Sequence, residues 1–136
     1  MRESLIALSA AIGSRDRERL RAALLRAREE GGAAAVDEVL LQSHLFVGFP
    51  IALNAIVLWR ELGCTDPALV EGDADWTGRG EEVFGAVYRR NAQAVRERVV
   101  TLHPDLERWM VVGGYGRVIG RPGVDLRTRE DRKSVV

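Results

Sequence analysis

The chain has 136 residues, and its 20 Lys and Arg are balanced by 20 Asp and Glu, enough length for one domain with a real core. Zero formal net charge leaves no global basic field to draw nucleic acid or an anionic membrane, so neither is expected as a partner. The single cysteine, Cys64, excludes an internal disulfide and a Cys-X-X-Cys redox pair; the chain start lacks the order of a secretion signal, and a cytoplasmic location is expected.

The apolar spacing predicts a short helix over Ser4–Ile12, with Leu5, Leu8 and Ile12 on one side and Gly13 as its end. Ser14 or Asp16 can cap a second helix running to about Glu30. Leu20, Leu24 and Ala27 stripe it, with Ala23 beside them. Glu18 and Arg21 are close enough on its surface to pair, a contribution of ~0.2–0.5 kcal/mol. Gly31-Gly32 stops it. Asp37–Val47 is then apolar around most of a helical wheel, with Val36, Val39, Leu40 and Val47 on one face and Leu41 and Leu45 beside it. Gly48 can take the left-handed backbone that ends a helix. Pro50 fits the first turn of the next helix, where its missing donor costs nothing. Phe49 is pushed towards an extended conformation by that proline. The expectation is a sharp helix–helix corner whose aromatic points into a core.

The helix opened by Pro50 is expected to reach about Leu62, with Ile51, Ala55, Leu58 and Leu62 on one face and Gly63 closing it. Cys64–Gly80, rich in Gly and Asp, reads as a surface loop with room for one helical turn at Pro67–Val70. Glu81–Leu102 returns to helix. Its stripe is Val83, Val87, Val95, Val99 and Leu102, with Phe84 and Tyr88 one position on and a break near Arg89–Arg90 marked by Asn91. Pro104 starts a further helix carrying Leu106, Trp109 and Met110; Gly113, Gly114 and Gly116 weaken its end. Gly120–Gly123 reads as a turn with positive φ at Gly123, and Asp125 caps a last helix. No stretch alternates as a strand does, so the fold class is all-α.

Asp125 caps a helix that has few residues behind it. The final DRKSVV can also be encoded by the opening of a widely used sequencing adaptor. The expectation is therefore that Asp131–Val136 is a non-native tail and that the natural reading frame continues past Glu130.

Two blocks carry a family resemblance: VDEVLLQSHLFVGFPIALNA, Val36–Ala55, and HPDLERWMVVGGYGRVIGRPGVDLRTRE, His103–Glu130. The first resembles the Glu-Val-Leu…Gly-Phe-Pro…Ala-Leu-Asn block of the carboxymuconolactone decarboxylase family. The second resembles that family's N-terminal entry. The resemblance implies the alkylhydroperoxidase D-like helical bundle, here incomplete, and assembly as a homo-oligomer. In a simple family member the RPG block precedes the GFP block; here the order is reversed. That order implies a tandem protein. Residues 1–63 would form a degenerate half-unit, 64–80 a surface loop, 81–120 connecting helices, and 121–130 the start of a second unit.

The redox branch of the family uses Cys-X-X-Cys-X3-His, two thiols one helical turn apart and a proton-moving histidine. The matching positions are roughly Glu18, Arg21 and Leu25, which cannot do that work, so peroxidase chemistry is not carried over. The decarboxylase branch acts on a carboxylated lactone, a small organic acid. That reaction needs a cationic or hydrogen-bonding site for carboxylates and an acid to protonate the carbanion equivalent. The catalytic candidates are His44 and Glu38; Asp37 shares a helix face with His44. Glu38 and Gln42, one turn apart, can line a polar pocket or make a helix-to-helix contact. Arg117 and Arg121 are anion-binding candidates, with pairing to Asp125 or Glu130 as the alternative. His103 reads as a helix cap, Tyr115 as packing, and Trp59 and Trp109 as core or interface. Two distant histidines make no metal site, and no cofactor is implied.

Overall fold

A computed structural model describes residues 1–63, 69–72 and 74–133. Cys64, the first half of the turn expected at Pro67–Val70 and the end of the tail lie outside the described residues. The described residues are helical without a strand, as the class assignment requires. The chain divides into two compact units: residues 1–70 with 122–136, and residues 71–121.

The first unit is built from α1 (Arg2–Ser14), α2 (Arg17–Gly31), α3 (Ala33–Val47), α4 (Phe49–Glu61) and α8 (Leu126–Lys133). Its core is Leu5, Leu8 and Ile12 of α1, Leu24 and Ala27 of α2, Val36, Val39 and Leu40 of α3, and Ala55, Leu58 and Trp59 of α4. These are the predicted stripes, because helical spacing alone decides which residues share a face. Helix ends follow the caps. Asp16 accepts from the Arg19 amide at 3.1 Å and starts α2. Gly13 does not end α1, which continues to Ser14 and stops at Arg15, held at φ 59°. On α2 the i,i+4 pair is Arg26 with Glu30 at 3.3 Å, and that hydrogen bond is the main cause of a lowered Glu30 pKa.

The α3–α4 corner forms at Gly48, at φ 84° and ψ 165°. That extended, positive-φ backbone is open to glycine and costly for other residues. One expectation fails here. Phe49 is neither extended nor buried: it is the first residue of α4 and is 61% exposed. Gly48 takes the whole reversal, and its carbonyl accepts from the Ala52 amide at 3.2 Å. Phe49 is thereby in helical register and lies outside the buried set of α4, which is Ala52, Ala55, Leu58 and Trp59.

From Pro122 onward the chain belongs to the first compact unit, with α8 packed on α1. Positive φ at Gly123, 97°, turns the chain as predicted. The Asp125 carboxylate accepts from the Thr128 amide at 2.9 Å and its hydroxyl at 2.8 Å, and Arg2 pairs with Asp131.

The second unit contains α5 (Trp76–Tyr88), a 3-10 turn at Arg89–Asn91, α6 (Ala92–Leu102), α7 (Pro104–Arg108) and a π-helix, Trp109–Ile119. The loop read as Cys64–Gly80 is shorter than expected, because Asp75 caps α5 by accepting from the Gly78 amide at 2.9 Å. Asn91 does mark the break. His103 caps α7, its Nδ1 accepting from the Asp105 amide at 3.0 Å. Gly113, Gly114 and Gly116 do not weaken the helix end; the helix widens into π geometry instead, with the Gly120 amide donating to Tyr115 O. Gly80 and Gly116 let α5 and the π-helix touch through their backbones, since a Cβ on either would overlap the carbonyl of Val111 or Trp76. Phe84, Tyr88 and Tyr115 fill the space beside that contact, with Phe84 edge-on to Tyr115 at 5.1 Å and the two tyrosine hydroxyls 3.0 Å apart. Leu102, expected on the apolar stripe, is exposed, and so is Trp109, expected in a core or an interface; α6 has no fully buried residue.

Candidate functional site

Helix α3 brings Glu38, Gln42 and His44 into one stretch but gives them different environments. Glu38 and Gln42, one turn apart, both lie within the buried face. A buried carboxylate requires a partner of opposite charge. That partner is Arg129 of α8, with side-chain exposures of 1% for Arg129 and 4% for Glu38. Arg129 Nη2 donates to Glu38 Oε1 at 2.9 Å and to Pro122 O at 2.9 Å. Its Nη1 donates to Gln42 Oε1 at 3.0 Å and its Nε to Val124 O at 3.2 Å. Gln42 Nε2 returns a hydrogen bond to Arg129 O at 3.1 Å. The planar guanidinium fork is satisfied on several sides at once, which is what arginine does better than lysine. Of the two readings of Glu38 and Gln42, the helix-to-helix contact is the observed one.

His44 is half-buried at the end of α3. Its Nδ1 lies 2.5 Å from Leu41 O. A carbonyl only accepts, so Nδ1 donates to it. The ring stacks on Phe49 with centroids 5.0 Å apart. Asp37 does not orient it. Asp37 accepts from Trp59 Nε1 at 2.8 Å and Arg60 Nη1 at 3.2 Å. The structure thus engages Glu38 with Arg129 and His44 with Leu41 and Phe49.

The two anion-binding candidates also separate. Arg117 is exposed on the π-helix. Arg121 is buried, and its Nη1 donates to Glu71 Oε1 at 3.1 Å, an acceptor the sequence reading did not consider. Glu71 also takes a bidentate pair from Arg79 at 2.6 and 2.8 Å, and Arg79 Nε donates to Gly116 O. This cluster ties the start of the second unit to its end. A depression of about 430 Å3 in that unit is lined by Gln93, Arg96, Glu97, Val100 and Glu107. The Arg96 guanidinium donates to Glu81 and Glu107, and these hydrogen bonds raise the Arg96 pKa.

Arg129 and Glu71 escaped sequence reasoning. The available signal was indirect: Glu38 and Gln42 interrupt an apolar face and so demand a polar partner. A second feature was also missed. Leu41, Leu45, Phe49, Leu53 and Val57 recur every four residues through the α3–α4 corner, and with Phe46 they stand 36–61% exposed. Among the described residues no three His, Cys, Asp or Glu side chains gather as a metal site requires, and no helix is long and apolar enough to cross a membrane. Comparison with protein-family models, curated proteins and solved structures finds no match for this chain.

Proposed function

We propose that the chain is a carboxymuconolactone decarboxylase-like helical unit that serves as a non-catalytic assembly or ligand-binding module. The observation that carries this reading is the enclosure of Glu38. A decarboxylase needs an acid that can reach the substrate and cationic groups free to receive its carboxylates. Here the Glu38 carboxylate is committed to Arg129, and the buried Arg121 to Glu71. His44 is held by the Leu41 carbonyl and by stacking on Phe49. The family reading draws support from contact between its two blocks, since Glu38 and Gln42 of the first hold Arg129 of the second.

The test is direct. The purified chain is offered a carboxylated muconolactone, with released CO2 measured, and separately a peroxide with a dithiol reductant. The expected outcome is no turnover that distinguishes the wild type from His44→Gln or Glu38→Gln. Lactone decarboxylation that drops at least about tenfold in kcat/KM on His44→Gln, with the fold intact, overturns the proposal.

A further inference from the structure

The chain between α5 and the π-helix is pinned at both ends and lightly held between them. At one end Tyr88 closes α5, its ring 4.6 Å from that of Phe84 and its hydroxyl 3.0 Å from the Tyr115 hydroxyl. At the other end the π-helix lies backbone against backbone on α5 at Gly116. From Arg89 to Arg108 the 3-10 turn, α6 and α7 bury no side chain fully. Arg96 of α6 reaches α5 through Glu81, but the two side chains are 30% and 50% exposed, and an exposed pair holds little. Its other partner, Glu107, belongs to α7 and moves with it. Segments with so few buried contacts open locally while the rest of a protein stays folded.

The hinge of that opening is Arg89. It stands at φ 51° and ψ −125°, the conformation of the first central residue of a type II′ turn, which glycine dominates. A side chain there is strained, and opening releases the strain. Arg89 and Arg90 are both exposed, and among the described residues neither side chain has a hydrogen bond or an ion pair. Arg15 is the contrast. Its φ of 59° and ψ of 18° fall close to the left-handed helical region. The helices on either side of it bury Leu8, Ile12, Leu24 and Ala27, so opening there uncovers core.

We propose that Arg89-Arg90 is a cleavage site for an arginine-specific serine protease, one whose specificity pocket carries an acid, and that strain at Arg89 makes the site accessible. Exposed turns are where native chains are nicked. The reaction is hydrolysis. The peptide carbon–nitrogen bond after Arg89 or Arg90 breaks, and one water supplies the hydroxyl of the new carboxyl group and the proton of the new amine. The nicked chain stays assembled, because each unit keeps contacts across the cut. In the second unit α5 remains packed on the π-helix; in the first, Glu38 of α3 holds Arg129 of α8.

The test is trypsin, added sparingly to the full chain under native conditions, with the product ends read by mass spectrometry. The first cut that divides the chain into two large pieces is expected after Arg89 or Arg90. The nicked chain should elute from gel filtration as the intact chain does. Two variants isolate the strain, since both lack the first arginine and keep Arg90. Arg89→Gln keeps the strained backbone, whereas glycine relaxes it. Cleavage after Arg90 tracks the population of the open form, so Arg89→Gly should be cut roughly tenfold more slowly than Arg89→Gln. Both should keep the circular dichroism of the wild type, because the position is exposed. A first cut elsewhere, or equal rates for the two variants, overturns the site. Pieces that separate on gel filtration overturn the assembled product.

Discussion

Arg129 shows what a single buried charge commits a fold to. Its guanidinium and the Glu38 carboxylate are both out of water, so each is tolerable only because the other is there. Arg129→Ala should therefore cost about 3–5 kcal/mol, read as a lowered urea midpoint, since it strands a buried carboxylate. Replacing both with Met removes the charge problem along with the bond and is expected to cost less than Arg129→Ala alone; a double variant less stable than the single one would show that the pair contributes net stability. Asp125 supplies the pH dependence. Hydrogen bonds from the Thr128 backbone and then its side chain lower the Asp125 pKa below its ordinary 3.8. A carboxyl with a depressed native pKa binds protons more readily when unfolded. Its stabilisation is thus complete above about pH 3.8 and disappears as the pH falls through the lower native value. Amide exchange in α8 followed from pH 5 to pH 2 should show this loss, and Asp125→Asn should flatten it.

At the scale of elements, two glycines that look alike in sequence have opposite consequences. Gly116 lies where the π-helix meets the α5 backbone, and a Cβ there would overlap the Trp76 carbonyl. Gly116→Ala is expected to destabilise by about 2–4 kcal/mol, because a backbone contact cannot yield as a flexible side chain can. Gly85, within α5, has nothing within 4 Å of its added Cβ. Gly85→Ala should stabilise by about 0.5–1 kcal/mol through the entropy of the unfolded chain and helix propensity. Thermal melting of the two variants should move in opposite directions. The corner at Gly48 teaches the same distinction. Glycine and proline correctly announced a reversal, but which residue absorbed it decided that Phe49 faces outward.

At the scale of the molecule, the first unit is discontinuous: its chain leaves after Val70 and returns at Pro122. The returning segment contributes Arg129, which pairs with the buried Glu38 of α3. That is a contact across most of the sequence. The outward apolar ladder belongs to this scale as well. Helices that bury one face against each other necessarily leave the opposite face outward.

The sequence by itself determined the all-helical class, the inward stripes of α1 to α4, the Asp16, His103 and Asp125 caps and the breaks at Gly48 and Asn91. These depend on interactions within a few residues: helical periodicity, side-chain bonds to nearby amides, and the φ values open to glycine and proline. Only the tertiary structure decided which polar groups meet. Glu38 could be read as a catalytic acid or as a helix contact until Arg129 was placed beside it. Arg121 could be read as an anion site until Glu71 occupied it. Gly116 looked like a weakness until another backbone lay against it. Pairing of buried charges and close backbone approach join residues far apart in the chain, and local spacing carries no record of that distance.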